Sequence, residues 1–345
     1  MTKARSKRND PSTTGSPSKR RWLLIGLLVV VLGGALWLRT SMTANTATFN
    51  RYMDGVRLMQ SGQQAQAVAI WEDLIQRDPG FPDTSIQLAN YYTQNGDPTH
   101  AASLLEALEE RHVEGPDMHT VLAEAYLKLR DSRALTEAQA AVAAAPYSAR
   151  AHFALSWAYK QAYDSDHVQK ELAVAERLDP HNADYDLFGA RFAASGNDYQ
   201  QEEDQARQCL KNAPNIAEAW YLLGRSLAAQ PSPDNLREAA TAMQRFTELS
   251  PDDYNGWMEL GSVLLATHQT IDATRSLERA RMLCATLPPG ERPKRQRVQD
   301  QIRIAHLLFK IYQSEGNAAK ASAMRTEANR LGDEVQQFFS QHDLN

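Results

Sequence analysis

Cysteine is almost missing from this chain, with only Cys209 and Cys284 among 345 residues. So sparse a supply excludes the disulfide framework of small secreted domains. It also leaves no CxxC pair and no zinc-type Cys/His spacing. The nine histidines never fall three or four residues apart, so no two share a helix face as a metal clasp would. Phosphate-cradling GxxxxGK[ST] and nucleophile-elbow GxSxG patterns are absent as well. Beyond Phe49 no strand-like alternation runs long enough to matter. These absences exclude the commonest metal, phosphate and acyl-transfer chemistries and point away from any β architecture.

Hydrophobic residues make up 43% of the chain and charged residues 23%, a globular rather than a disordered balance. The net charge of −5 hides an asymmetry. Lys3, Arg5, Lys7, Arg8, Lys19, Arg20 and Arg21 crowd the first 21 residues against the single acid Asp10. That leaves 30 of the 37 basic and 41 of the 42 acidic side chains for the remainder, a net −11. So acidic a body repels phosphate backbones, which argues against nucleic-acid binding.

Residues 22–38 read WLLIGLLVVVLGGALWL, without charge or proline. Seventeen helical residues span roughly 26 Å, the short end of what crosses a bilayer core. Trp22 and Trp37 sit at the two ends, where indoles favour the headgroup boundary. Basic residues precede the run and only Arg39 follows closely, so the N-terminus is expected to stay cytoplasmic and the rest to cross. A cleaved signal peptide has the same order of regions, but SMTANTATF offers no good small-x-small cleavage site. The reading is a disordered basic tail (1–21), a transmembrane helix (22–38) and a linker (39–48).

From residue 49 amphipathic helical segments alternate with short turns, and they repeat. A small residue recurs in the second helix of each unit at Ala67, Ala101, Ala134, Val168, Ala239, Ala273 and Ala321, with Glu202 in the fifth slot. The successive spacings are 34, 33, 34, 34, 37, 34 and 48. Twelve residues after five of these slots stands Pro79, Pro146, Pro180, Pro214 or Pro251, where proline ends one helix and opens the next connection. Gly62, Gly96, Gly196 and Gly316 fall where a first helix must stop. Small residues at fixed positions let paired helices approach closely, and stacking of pairs supplies the core that no single pair can.

Three stretches carry a family resemblance. WYLLG (Trp220–Gly224, with Ala239, Phe246 and Pro251), WMELG (Trp257–Gly261, with Ala273 and Ala280) and GQQAQAVAIWEDLIQRDP (Gly62–Pro79) resemble the tetratricopeptide repeat. The resemblance implies an all-α, right-handed superhelix of about eight helix-turn-helix repeats over 49–335. They divide at about 49–82, 83–115, 116–149, 150–183, 184–217, 218–254, 255–288 and 302–335, with a C-terminal tail at 336–345. Several positions depart from the pattern. Glu202 replaces a small residue, and with Glu203 and Asp204 it reads as a solvated acidic face. The sixth repeat carries three extra residues within Gln230–Leu236, and a long basic connection (LPPGERPKRQRVQ, from Leu287) precedes the eighth. Phe309 fills the small slot of the last first helix. Two repeats separate Cys209 from Cys284, which speaks against a mutual disulfide.

In this family first helices line the concave face, and the resemblance implies that outward positions there meet partners. In the third repeat these are Glu124 and Lys128; in the fourth, Arg150, Phe153, Trp157, Lys160 and Gln161; in the sixth, Tyr221 and Arg225. Phe153 and Trp157 lie four apart on one helix face and look surplus to packing, although Trp157 also suits a packing role against the adjacent repeat. Asn90 occupies one position of the family's carboxylate clamp, but its neighbours do not complete it. With almost every residue after 48 committed to helix pairs, no room remains for an active site. The expectation is therefore a non-enzymatic scaffold that needs no cofactor, metal or small-molecule substrate. It would be a single-pass protein of a bacterial inner membrane, its repeats periplasmic, binding protein or peptide partners in the assembly of an envelope machine for export, secretion or cytochrome assembly. A holdase-like chaperone at the protein translocon is the alternative.

Overall fold

The computed structural model of the protein describes residues 46–77, 81–112, 117–288 and 294–342. The 22–38 segment lies outside them, and no helix of the described residues is long and apolar enough to cross a membrane. Every regular element among these residues is a helix. In chain order they are α1 (46–60), α2 (Gln64–Arg77), α3 (Pro82–Gln94), α4 (Pro98–Glu110), α5 (Met118–Leu129), α6 (Ala134–Ala144), α7 (Ala149–Gln161) and α8 (Ser165–Leu178). There follow α9 (Ala183–Gly196), α10 (Tyr199–Asn212), α11 (Ala217–Ala229), α12 (Pro233–Leu249), α13 (Tyr254–Ala266), α14 (Thr270–Thr286), α15 (Lys294–Ser314) and α16 (Ala318–His342). The chain divides into two compact units, residues 1–137 and 138–345, with the division inside α6.

In the first unit Trp71 of α2 is the anchor, fully buried among Leu74, Leu88 and, from α1, Tyr52 and Met59. Its indole lies so close to α1 that a Cβ on Gly55 would stand 2.2 Å from Trp71 Nε1, and its N–H donates to the Tyr52 carbonyl at 3.3 Å. Carboxylates on second helices accept from tyrosines of the next first helix. Tyr92 Oη donates to Glu72 and Tyr126 Oη to Glu106, each at 2.7 Å and each 20 residues downstream. The 34-residue period is thus written in polar contacts as well as in apolar ones.

The second unit packs α7 on α8, α9 on α10, α11 on α12, α13 on α14 and α15 on α16. Consecutive pairs join through α8 with α9, α10 with α11, α12 with α13 and α14 with α15. One continuous core runs from Leu187 to Met324 through Leu222, Met243, Leu264 and Leu277. Three of the connections that open a first helix carry a latch. The residue six positions after the helix-ending proline reaches back to that proline's carbonyl: His152 Nε2 to Pro146 at 3.1 Å, Trp220 Nε1 to Pro214 at 2.8 Å, and Trp257 Nε1 to Pro251 at 2.9 Å. Proline fixes the turn that presents the carbonyl, and a ring N–H satisfies it. At Pro180 the corresponding residue is Asp186, which has no proton to give when ionised. Asn212 stands in, donating to the Pro180 carbonyl at 3.2 Å and to Asp186 Oδ2 at 2.8 Å.

Several sequence expectations need correction. Glycine takes the left-handed conformation after a first helix at Gly62, Gly96 and Gly316, but Gly196 does not; its neighbour Asn197 does, at φ 56°. Arg130, Tyr163 and His268 hold the equivalent place elsewhere, so the turn tolerates a side chain that points to solvent. The three extra residues of the sixth repeat lengthen α12 to 17 residues, with Ser232 as its N-cap. The basic connection is helical from Lys294 onward, because 294–302 contains neither proline nor glycine and buries Val298. Arg295 and Arg297 therefore lie in the opening turns of α15, while Arg292 lies outside the described residues. At the other end α16 continues to His342, through residues assigned to a tail.

Candidate functional site

First helices of the sixth, seventh and eighth repeats, α11, α13 and α15, enclose a cleft of about 530 Å³. Its lining is mostly polar, with a few apolar side chains among the charged ones. Phe246 and Met258 are buried, and the Tyr221 ring rests against Phe246 with centroids 5.2 Å apart. Burial, reinforced by the Glu259 carboxylate, pushes the Tyr221 phenol up, so it stays a protonated donor at neutral pH. Four carboxylates line the walls, Glu218, Asp253, Glu259 and Asp300, against one guanidinium, Arg303. A second cleft of about 330 Å³ continues past Arg225, Leu236 and Ser262 and shares Glu259 and Arg303 with the first.

The walls are braced by charge pairs between helices. Arg303 forms two hydrogen bonds to Glu259, at 2.7 and 3.1 Å, tying α15 to α13. Arg191 of α9 chelates Glu218 of α11, its Nε donating at 2.6 Å. Asp253 caps α13 by accepting from the Asn255 backbone at 2.8 Å, and Asp300 accepts from Tyr254 Oη at 2.5 Å and from Gln296 Nε2 at 3.1 Å. Fixed donors and acceptors of this kind tie the walls to one another.

The residues expected to meet partners are distributed differently. Glu124 and Lys128 belong to the first unit, the former half-buried and the latter exposed. Arg150 and Gln161 are half-buried on α7. Phe153 and Trp157 are not surplus to packing. Phe153 lies 4.6 Å from Tyr185 and 5.2 Å from Phe188, ring to ring, and both it and Trp157 close the apolar cluster around Val168 and Leu172. Lys160 sits with its ammonium 4.8 Å from the Phe188 centroid, its pKa lowered by burial and by Arg191. Tyr221 does line the cleft.

Arg225 has a structural partner that also overturns the solvated reading of Glu202. Glu202 is fully buried, and Arg225 grips it with Nε at 2.9 Å and Nη2 at 2.6 Å. A carboxylate thus stands where other repeats place a small residue, and the first helix of the following repeat supplies its counter-charge. Glu203 is half-buried and Asp204 exposed. The reading overlooked Glu218, Asn255, Met258, Ser262 and Arg303. The family's first-helix positions, carried onto the seventh repeat as they were onto the fourth, point to Asn255, Met258 and Ser262. Arg303 had no such signal, because the long basic stretch hid the register of the eighth. Among the described residues no three His, Cys, Asp or Glu side chains converge as a metal site would require. Cys209 is buried and its thiol, donating to the Ala183 carbonyl at 3.4 Å, is pushed up to about 11 by burial.

Among the described residues this is an all-helical array in which consecutive helices pair and stack. The tetratricopeptide repeat model matches residues 58–125. The C-terminal part of a TPR repeat-containing protein from Cytophaga hutchinsonii superposes with a TM-score of 0.56 at 14% identity, over 71% of this chain and 95% of that one. The APC/C hetero-tetramer Cut9–Hcn1 gives 0.50 at 13% identity, over 82% of this chain and 54% of that one. At such identities the likeness is one of fold. A curated relative, the cell division cycle protein 27 homolog of Caenorhabditis elegans, is 34% identical over 95 residues, 26% of this chain; the match spans only 12% of that relative. The family model covers residues 58–125 alone, and the solved structures extend the likeness across more of the chain as one of fold, not of role.

Proposed function

We propose that this protein is a membrane-tethered scaffold that recruits a segment of a partner protein into the groove formed by α11, α13 and α15. The observation that carries this reading is the braced cleft of about 530 Å³, lined by charged side chains around Tyr221, Phe246 and Met258, with a neighbouring cleft of about 330 Å³. Walls tied together by ion pairs between helices lose less entropy on binding than mobile ones, so modest contacts suffice. The tethering part rests on the hydropathy of residues 22–38 and the basic residues before them. In a bacterial cell that order leaves the repeats periplasmic, where tethering raises the local concentration of partners in an envelope assembly.

Photo-crosslinking tests the groove. A benzoylphenylalanine placed at Asn255, with controls at Trp157 and at the exposed Lys211, is expected to give discrete crosslinked species from Asn255 alone. The same species from Lys211, or none from Asn255, refutes the reading. A broad smear of unfolded chains from Asn255 would instead favour a holdase. A topology reporter fused after Asn345 tests the tether separately.

A further inference from the structure

We infer that the occupant of this groove is an extended segment of another protein in which a lysine or arginine stands beside an apolar side chain. The inference rests on the reading of the groove as the partner site and specifies the chemistry that fits it. Four carboxylates line the cleft; Arg303 pairs with Glu259 in two hydrogen bonds and Arg191 with Glu218, so the lining stays acidic through Asp253 and Asp300. An anionic segment could reach Arg303 only by displacing Glu259, and it would then face Glu218, Asp253 and Asp300. A cationic one joins carboxylates already in place. An extended chain alternates its side chains, so one residue can lie on Tyr221, Phe246 and Met258 while its neighbours reach the acidic walls. The chain beyond its first 21 residues carries 41 acidic against 30 basic side chains, so its long-range field draws in cations rather than anions.

The test uses the full chain in detergent and three fluorescein-labelled peptides that alternate leucine with lysine, with glutamate or with serine. Fluorescence anisotropy is read against detergent alone. The lysine peptide is expected to bind about tenfold or more tighter than the other two, and to weaken several-fold between about 50 and 500 mM salt. The double variant Glu218→Gln/Glu259→Gln, which also frees Arg191 and Arg303, is expected to lose most of that preference. Glu109→Gln/Glu110→Gln, on an exposed part of α4, is expected to keep it. Circular dichroism melts confirm that both variants fold. Equal binding of the glutamate or serine peptide overturns the inference, as does undiminished lysine-peptide binding by the groove variant or no binding at all. Replacing the seven basic residues of 1–21 by serine controls for self-occupancy. Tighter binding by that variant would assign the groove to the chain's own N-terminus and overturn the stated occupant. Discrete crosslinks from Asn255 without charge preference would leave the groove reading standing and this inference refuted.

Discussion

Replacing Arg225 by alanine isolates the most unusual contact of the second unit. Glu202 is wholly buried, so removal of its partner strands a carboxylate away from water. Breaking a buried ion pair from one side typically costs about 3–5 kcal/mol, most of it the uncompensated charge rather than the lost attraction. The Arg225 side chain retains 32% of its exposure, so water can reach part of the gap, which places the cost near the lower end, about 3 kcal/mol. For a domain of this size that lowers the melting temperature by roughly 6–12 °C. The informative comparison is a cycle. Glu202→Ala installs the small residue that most other repeats carry and leaves a guanidinium that can turn to solvent, at about 1 kcal/mol. The double variant should therefore be more stable than Arg225→Ala alone, a rescue by a second deletion. Thermal melts followed by circular dichroism on all four proteins decide it. An Arg225→Ala melt within about 1 °C of wild type, or a double variant no more stable than the single, refutes the reasoning.

Other perturbations follow from the same structure. Trp220→Phe keeps the ring but deletes the N–H that satisfies the Pro214 carbonyl, and should cost about 1–2 kcal/mol by thermal melt. Gly261→Ala would place a Cβ 2.6 Å from Leu277 Cγ and 3.2 Å from the Ala273 carbonyl, an overpacking expected to cost about 1–3 kcal/mol; a neutral melt would contradict the closeness of α13 and α14. Burial, with Asp186 nearby, raises the Glu176 carboxyl above the ordinary range, the Gln205 hydrogen bond only partly opposing it. The folded state thus holds that proton more tightly than the unfolded chain. Stability owed to Glu176 is present at low pH and falls as pH rises from the usual glutamate value through the raised one. Glu176→Gln mimics the protonated form, so the melting temperature should fall less between about pH 5 and pH 8 than in wild type; an unchanged fall would refute this.

What the sequence made legible was local and periodic. The recurring small residues, the prolines twelve positions later and the two W-x-x-L-G pentads suffice for helix pairs at a 34-residue period, because each mark acts on residues within one unit. Glu202 and Arg225 form a pair 23 residues apart across a joint, and acidity alone could not distinguish a buried carboxylate from a solvated one. Phe153 failed for a related reason. An aromatic on an outward helix position suits a ligand and a neighbouring repeat equally well, and only the placement of Tyr185 and Phe188 selects between them. The start of α15 was misjudged because charge was read as loop, although a stretch without proline or glycine that buries Val298 can extend a helix. The cleft itself was not legible because its walls combine Tyr221 with Asp300 and Arg303, some 80 residues further along the chain.

The proline latches carry an implication for how such a chain can lengthen or shorten. In three of them donor and acceptor lie six positions apart, so each of those joints is self-contained in the DNA segment that encodes it. Duplicating or excising the stretch from Pro214 to just before Pro251 would carry one complete fastening along, and the neighbours on either side would meet a familiar surface. The exception is the fifth unit, whose fastening borrows Asn212 from a later helix and whose buried acid borrows Arg225 from the next unit. That unit cannot be moved by itself, which makes it the place where gene-level shuffling of this array should stall.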